Sequence, residues 1–123
     1  MIGYITVGTN DIARAASFYD ALFELLGATR AMQQDDFIAW TTQPNTPMFS
    51  IHIPANSKEA TVGNGDMIAL AAKDKAQVDA MHEYALKLGA MDEGKPGLRG
   101  DSGFYAAYFR DLDGNKLNIH CMT

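Results

Sequence analysis

The stretch Tyr4-Ile-Thr-Val-Gly-Thr-Asn-Asp11 returns later in the chain as Met67-Ile-Ala-Leu-Ala-Ala-Lys-Asp74. In both stretches the side chains alternate as they do in a β-strand, and an aspartate stands seven positions after the first residue. Aspartate is a preferred helix N-cap, and a pattern with helical spacing follows each one. Both helical patterns end in Leu-Gly-Ala, at residues 26–28 and 88–90. The chain therefore contains two copies of one strand-helix unit.

Further strands are expected after each helix. Polar or proline-containing breaks divide the first half into three short strands, at residues 28–32, 37–41 and 48–53. In the second half we predict a loop at residues 94–103 and then two strands, at residues 104–110 and 116–121.

We therefore predict a single α+β domain built from two βαβββ modules in tandem, residues 1–54 and 67–123, joined by a linker at residues 55–66. One helix can protect only one face of its sheet. Two modules side by side would form a curved mixed sheet with the helices on its convex side and a cavity on its concave side. Such a cavity is a natural site for a small-molecule ligand.

Composition and charge narrow the functional classes. The chain has no apolar run long enough to span a bilayer and no basic signal-like start, so we expect a cytoplasmic protein without a membrane partner. A net charge of −5 without a basic patch argues against nucleic acid as a partner. The single cysteine, Cys121, excludes an intrachain disulfide and is expected to lie in a core.

Two motifs on this repeated frame are specific: Asn10-Asp11 followed by Ala16-Ser-Phe-Tyr19, and Phe109-Arg-Asp-Leu-Asp-Gly-Asn115 before the last strand. With them, the whole chain resembles the vicinal-oxygen-chelate superfamily, which includes glyoxalase I, bleomycin-resistance proteins and dioxygenases. The final turn is similar to the family's Asp-Pro-Asp-Gly-Asn turn, with Leu112 in place of proline. The resemblance implies the glyoxalase/bleomycin-resistance fold and a homodimer, but it spans several chemistries and leaves the activity open.

The resemblance also implies where a metal would bind. In metal-using members, histidines open the first strand of each module, and here those positions are Tyr4 and Met67. The ligands from the last strand of each module correspond to Ser50 and Asn118. A phenol, a thioether, a hydroxyl and an amide suit Zn²⁺, Ni²⁺ or Fe²⁺ poorly. We therefore expect neither a metal nor another cofactor.

His52 and His120 are the candidate catalytic residues. Each lies two residues beyond a lost ligand position, so strand alternation places both on the concave face. They are candidates for a relocated metal site or for a general base near neutral pH. Two histidines without a carboxylate fall short of the usual three protein ligands. The plainer alternative is that both bind backbone groups or solvent.

Aromatic, thioether and cationic side chains complete the candidate pocket. Aromatic side chains, among them Tyr4, Tyr108 and Phe104, would stack a planar ligand. Arg99 and Arg110 are candidate anchors for an anionic group. Alternatively, the aromatic residues lie in the core or at a dimer interface, and the two arginines form surface ion pairs with neighbours such as Asp111 or Asp101. The glycine-rich stretch at residues 94–100 is either a lid or a simple connection. The predicted pocket residues are Tyr4, Trp40, Ser50, His52, Met67, Tyr108, Arg110, Asn118 and His120.

Three functions are compatible with these features. The first is metal-independent binding of a small molecule by a homodimer. The second is a glyoxalase-type lyase or isomerase, or a dioxygenase, that uses a relocated metal or acid-base chemistry without metal. The third is a non-catalytic structural or regulatory dimer. Whether the chain is an enzyme therefore stays open at this point.

Overall fold

The computed structural model describes residues 1–123 and contains two successive βαβββ units, which confirms the predicted tandem fold. No helix is long and apolar enough to cross a membrane. The elements are β1 (Tyr4–Gly8), α1 (Ile12–Glu24), β2 (Thr29–Gln34), β3 (Phe37–Thr41), β4 (Met48–His52), β5 (Ile68–Ala71), α2 (Lys75–Lys87), β6 (Met91–Leu98), β7 (Phe104–Arg110) and β8 (Lys116–Met122).

The chain forms two compact units, Met1–Val62 and Gly63–Thr123, which we call module one and module two. Each module has its own four-stranded sheet, in the order β1-β4-β3-β2 or β5-β8-β7-β6. In both sheets the first two strands of this order are parallel and the other neighbours are antiparallel. Each module therefore has the same topology, as the repeated sequence predicts.

Both helices begin and end as their sequences indicate. The Asp11 side chain accepts a hydrogen bond from the backbone N–H of Arg14, at 3.0 Å, and Asp74 accepts one from Gln77, at 2.8 Å. After the helices, Gly27 and Gly89 have φ angles of 72° and 106°. Glycine adopts this left-handed conformation without a steric penalty, which is why it commonly ends a helix.

Aromatic packing dominates the core of module one. On α1, Tyr19 and Phe23 pack against Trp40 of β3 and Phe49 of β4, with ring centroids between 4.7 and 5.8 Å apart for the pairs that join helix to sheet. All four side chains are buried. The sheet face that carries Trp40 and Phe49 is called the helix face, and the opposite side of each sheet is called its open face.

Module two uses smaller side chains for the same purpose. The buried residues of α2 include Val78, Met81 and Ala85, and this helix packs on β7 and β8. Cys121 of β8 is buried, as the sequence predicts. The buried apolar residues on the helix face of these two strands are Ala107, Phe109, Leu117, Ile119 and Cys121.

The structure corrects the prediction for residues 94–103. The first half of the expected loop is strand, because β6 extends over Met91–Leu98 and pairs with β7. β6 is the edge strand of its sheet, and its register shifts on both sides of Gly94. Edge strands tolerate proline, glycine and bulges, so the sequence of such a strand can have the composition of a loop. The stretch at residues 94–100 is therefore largely part of the sheet.

Asp20 connects α1 to the sheet of module one. Its carboxylate accepts hydrogen bonds from Arg30, at 3.0 Å from Nε and 2.6 Å from Nη2, and from Trp40 Nε1 at 2.9 Å. The bond from Arg30 lowers the pKa of Asp20, with a further contribution from Trp40, against the opposing effect of partial burial. The charged carboxylate therefore stabilises the folded state.

We expect Asp20→Asn to destabilise the protein at pH 7 by about 1 kcal/mol, a low value because this ion pair is partly exposed. The folded-state pKa of Asp20 lies below the unfolded value of about 3.9, so its stabilising effect is present above that pH and is lost as the pH falls through the folded-state pKa. Urea unfolding at pH 7 and at about pH 3 tests this, with Glu24→Gln on the same helix as control. A deficit of equal size at both pH values would contradict the assignment.

Candidate functional site

Strand register assigns the side chains of module one to the two faces of its sheet. Tyr4 pairs with Met48, Ser50 pairs with both Thr6 and Ala39, and Phe37 pairs with His52. Paired residues on neighbouring strands point to the same face of a sheet. Since Phe49 faces α1, its neighbours Met48 and Ser50 lie on the open face. The residues that share the open face with them are Tyr4, Thr6, Phe37, Ala39 and His52.

The open face of module one combines an exposed aromatic edge with a buried hydroxyl. Tyr4 is 56% exposed and meets the ring of Phe37 edge to face, with centroids 6.1 Å apart. Ser50 is fully buried, and its hydroxyl donates to the carbonyl oxygen of Ile5 at 2.7 Å. His52 is half-buried at the end of β4. The aromatic edge therefore remains available to a ligand, while Ser50 is engaged with its own sheet.

In module two, β7 and β8 place four of the nine predicted pocket residues, Tyr108, Arg110, Asn118 and His120, on the open face. Tyr105 faces α2, because its hydroxyl donates to Asp79 at 2.6 Å. This hydrogen bond raises the pKa of Tyr105. Since side chains alternate along a strand, the open face of β7 carries Phe104, Tyr108 and Arg110. The open-face residues of these strands are Phe104, Ala106, Tyr108 and Arg110 on β7 and Lys116, Asn118, His120 and Met122 on β8.

His120 is held by two neighbours on the open face of module two. Its ring lies 5.3 Å from the ring of Phe104, and its Nδ1 lies 3.0 Å from Oδ1 of Asn118. An amide oxygen only accepts hydrogen bonds, so Nδ1 of a neutral His120 carries the hydrogen and Nε2 has the lone pair. The arrangement provides a hydrogen-bond acceptor, or a base, next to an aromatic ring.

The cations of this face differ in their partners. The Arg110 side chain donates to the Glu93 carboxylate and, at 2.9 Å, to the carbonyl oxygen of Gly114, so it is engaged in an ion pair. The guanidinium of Arg99 and the ammonium of Lys116 lie 5.4 and 5.6 Å from the centroid of the Tyr108 ring. The ion-pair alternative therefore applies to Arg110, with Glu93 as its partner.

The four positions at which the resemblance places the superfamily's metal ligands hold no carboxylate, imidazole or thiolate. Tyr4 and Met67 are exposed, and Met67 directly precedes β5. Ser50 and Asn118 are buried and hydrogen-bonded to Ile5 and His120. No group of three or more His, Cys, Asp or Glu side chains could hold a metal ion. These residues do not fit the metal that the superfamily implies.

Trp40 does not lie where the predicted pocket requires it. Its side chain is buried against Tyr19 and Phe23, and its Nε1 donates to Asp20 of α1. It belongs to the helix face, so its role is in the core of module one. The strand pattern at residues 37–41 is almost wholly apolar and does not distinguish the two faces.

Sequence reasoning also missed open-face residues. Lys116 lies two residues before Asn118 in the same strand, so alternation along β8 would have found it. Phe37 and Glu93 have no such signal, because their placement depends on the register of β3 against β4 and on the irregular pairing of β6. Asp111 is a turn residue, as the sequence predicts, since its Oδ1 accepts from the backbone N–H groups of Asp113 and Asn115.

Comparisons with known proteins agree with this geometry. The family model described as "Glyoxalase/Bleomycin resistance protein/Dioxygenase superfamily" matches residues 1–119. A glyoxalase/bleomycin resistance protein from Albidiferax ferrireducens T118 has a similar structure, with a TM-score of 0.88 and 34% identity over 98% of this chain and 97% of that one. No curated protein matches the sequence.

Two more distant structures show the fold alone. A glyoxalase/bleomycin resistance protein/dioxygenase family enzyme from Burkholderia phytofirmans PsJN has a TM-score of 0.79 and 18% identity, over 98% of both chains. A lactoylglutathione lyase from Agrobacterium tumefaciens has a TM-score of 0.72 and 21% identity, over 98% of this chain and 92% of that one. At these identities neither protein indicates which activity this chain has.

We expect neutral His120 to be the Nδ1–H tautomer, because Asn118 accepts at that nitrogen. Long-range ¹H–¹⁵N NMR spectra of the imidazoles above pH 8 measure this directly. Asn118→Leu should remove the preference for that tautomer, and the signals of His52 provide a reference in the same spectrum. A wild-type His120 with its hydrogen on Nε2 would show that the contact is arranged differently.

Proposed function

We propose that this chain, which belongs to the Glyoxalase/Bleomycin resistance protein/Dioxygenase superfamily, binds a small organic molecule on the open faces of its sheets without a metal ion. We further propose that it does so in the cytoplasm and as a homodimer. A mass in solution near twice the 13.4 kDa of one chain, measured by light scattering, supports the dimer, and the mass of a single chain contradicts it.

The chemistry of the four metal-ligand positions carries this proposal. Tyr4, Met67, Ser50 and Asn118 stand where metal-using members have ligands, and Ser50 and Asn118 are engaged in hydrogen bonds. A divalent transition metal needs imidazole, carboxylate or thiolate donors to be held and to act as a Lewis acid. The fold is kept while its metal-binding chemistry is replaced, which favours binding without metal.

The side chains on the open faces support an apolar or planar ligand. Tyr4 and Phe37 in module one form one exposed aromatic edge, and Phe104 and Tyr108 in module two lie half-buried on the second sheet. Aromatic rings bind planar groups with little loss of side-chain freedom. Met67 is 39% exposed and offers a flexible thioether that adapts to different shapes.

Metal-free acid-base catalysis of the glyoxalase type is the second candidate function. The observation in its favour is the Asn118–His120 contact, which leaves the lone pair of His120 Nε2 to act as a base. In that case His120→Gln would abolish turnover of a substrate while leaving its binding within a few-fold. Equal turnover by the variant would exclude this role for His120.

A thermal-shift screen of small organic acids, aromatic compounds and thiol conjugates tests the proposal. A ligand at 100 times its dissociation constant stabilises the native state by about 2.7 kcal/mol, which raises the Tm by on the order of 10 °C for a chain of this size. We expect such a shift to be unchanged by EDTA, because no metal takes part in the proposed binding.

Tyr108→Ala and Tyr105→Ala form a matched pair on opposite faces of β7. The first should remove the ligand-induced shift, whereas the second should lower the Tm of the free protein and keep the shift. A shift that needs an added divalent metal, or disappears in EDTA, would overturn metal-free binding. No shift from any compound, with the dimer intact, would favour the structural or regulatory dimer instead.

A further inference from the structure

Arg99 and Lys116 are the only half-buried cations of the chain without a carboxylate partner. Arg110, the third half-buried cation, pairs with Glu93, and the remaining lysines and arginines are exposed. Arg99 donates to the backbone carbonyl of Lys95, and the ammonium of Lys116 lies over the ring of Tyr108. The chain has 15 acidic residues against 10 basic ones, so a shortage of carboxylates does not explain why Arg99 and Lys116 lack a carboxylate partner.

The position of the Arg99 guanidinium is built into the backbone of β6. A Cβ atom on Gly97 would lie 3.0 Å from Nη1 of Arg99, and one on Gly94 would lie 3.3 Å from Nη2. Both glycines therefore leave the space that the guanidinium occupies. The Nη2 group donates to the carbonyl oxygen of Lys95 at 2.6 Å, which holds the side chain folded back over β6.

Both cations lie on the ring of Tyr108. The guanidinium of Arg99 is 5.4 Å from the ring centroid and the ammonium of Lys116 is 5.6 Å from it. Tyr108 and Lys116 belong to the open face of module two. A cation over an aromatic ring is partly compensated by the ring's π electrons, but far less than by a carboxylate.

Arg110 places a third positive charge next to Lys116. Lys116 lies directly opposite Arg110 in the register of β7 and β8, and like charges at such a position destabilise a sheet. Glu93 neutralises only Arg110. Arg99, Lys116 and Arg110 therefore share one carboxylate partner, that of Glu93. An anionic group from a ligand would relieve the imbalance.

We propose that Arg99 and Lys116 form a subsite for an oxyanion, a carboxylate or a phosphate, of a ligand whose planar part lies against Tyr108. A guanidinium has several N–H donors, and Lys95 uses one of those on Arg99. The proposal rests on the proposed function, since it names the ligand class of the open face of module two. It does not depend on whether a reaction follows binding.

Titration with four small probes tests the subsite. Benzoate and phenyl phosphate carry an oxyanion on a ring, benzamide is the neutral counterpart of benzoate, and benzylamine is cationic. Binding is followed by amide chemical shifts in ¹H–¹⁵N NMR spectra up to about 20 mM probe. We expect the two anions to bind at the open face of module two at least about 10-fold more tightly than benzamide, with weaker binding as salt is raised. The stronger of the two anions identifies the group that the subsite prefers.

Arg99→Gln and Lys116→Gln should each weaken binding of benzoate by about 10-fold, the loss expected for one charge-assisted hydrogen bond. Lys75→Gln is the matched control, because Lys75 lies 5.3 Å over the ring of Tyr105 on the other face of the same strand. It should leave the affinity within about two-fold.

Gly97→Ala is a second test that keeps both charges. The added methyl group would meet only the end of the Arg99 side chain, so the fold should be retained while the guanidinium is displaced. We expect weaker benzoate binding with an unchanged Tm.

Three results would overturn the subsite. The first is benzamide binding as tightly as benzoate, which would leave metal-free binding intact. The second is an equal loss of affinity in Lys75→Gln and Arg99→Gln, which would indicate a general charge effect. The third is no binding of either anion, whatever ligands the thermal-shift screen finds. If binding of the anions requires a divalent metal, the proposed metal-free function is wrong. The subsite is then still tested by the affinities of Arg99→Gln and Lys116→Gln.

Discussion

One helix of 13 residues covers one face of a four-stranded sheet in each module, and the other face has no helix of its own module to cover it. The large apolar side chains collect on the helix face, where they are buried with α1 or α2. The open face instead carries serine, asparagine, histidine, half-buried aromatic rings and unpaired cations. In the proposed function, the two faces of each sheet therefore have different roles: the helix face stabilises the fold and the open face binds the ligand.

The two modules reach the same topology with different packing. Module one places the aromatic rings of Tyr19, Phe23, Trp40 and Phe49 between helix and sheet, whereas module two uses alanines and aliphatic chains around Phe109. Packing of either kind satisfies the fold, because the requirement is a buried helix face and a repeated chain path. The open faces differ as well, since Arg99 and Lys116, the half-buried cations without a carboxylate partner, belong to module two.

The repeat, the aspartate caps, the glycine helix ends and the Asp111 turn were predictable because each depends on residues close together in sequence. The strand β6 was not, since Gly94, Pro96 and Gly97 have loop composition and are tolerated only at an irregular sheet edge. Trp40 was assigned to the pocket because an apolar strand does not reveal its parity. The contacts of Arg99 with Lys95 and Tyr108 depend on the bulged register of β6, which no local pattern encodes.

Binding on the open faces is proposed to need no metal, and the metal content of the purified protein tests this most directly. Plasma mass spectrometry after exposure to Zn²⁺, Ni²⁺ and Fe²⁺, followed by desalting, gives the number of ions per chain. Far less than one ion per chain and a Tm that a chelator does not change are the results predicted from Tyr4, Ser50, Met67 and Asn118. About one ion per chain, lost to a chelator together with thermal stability, would contradict the claim.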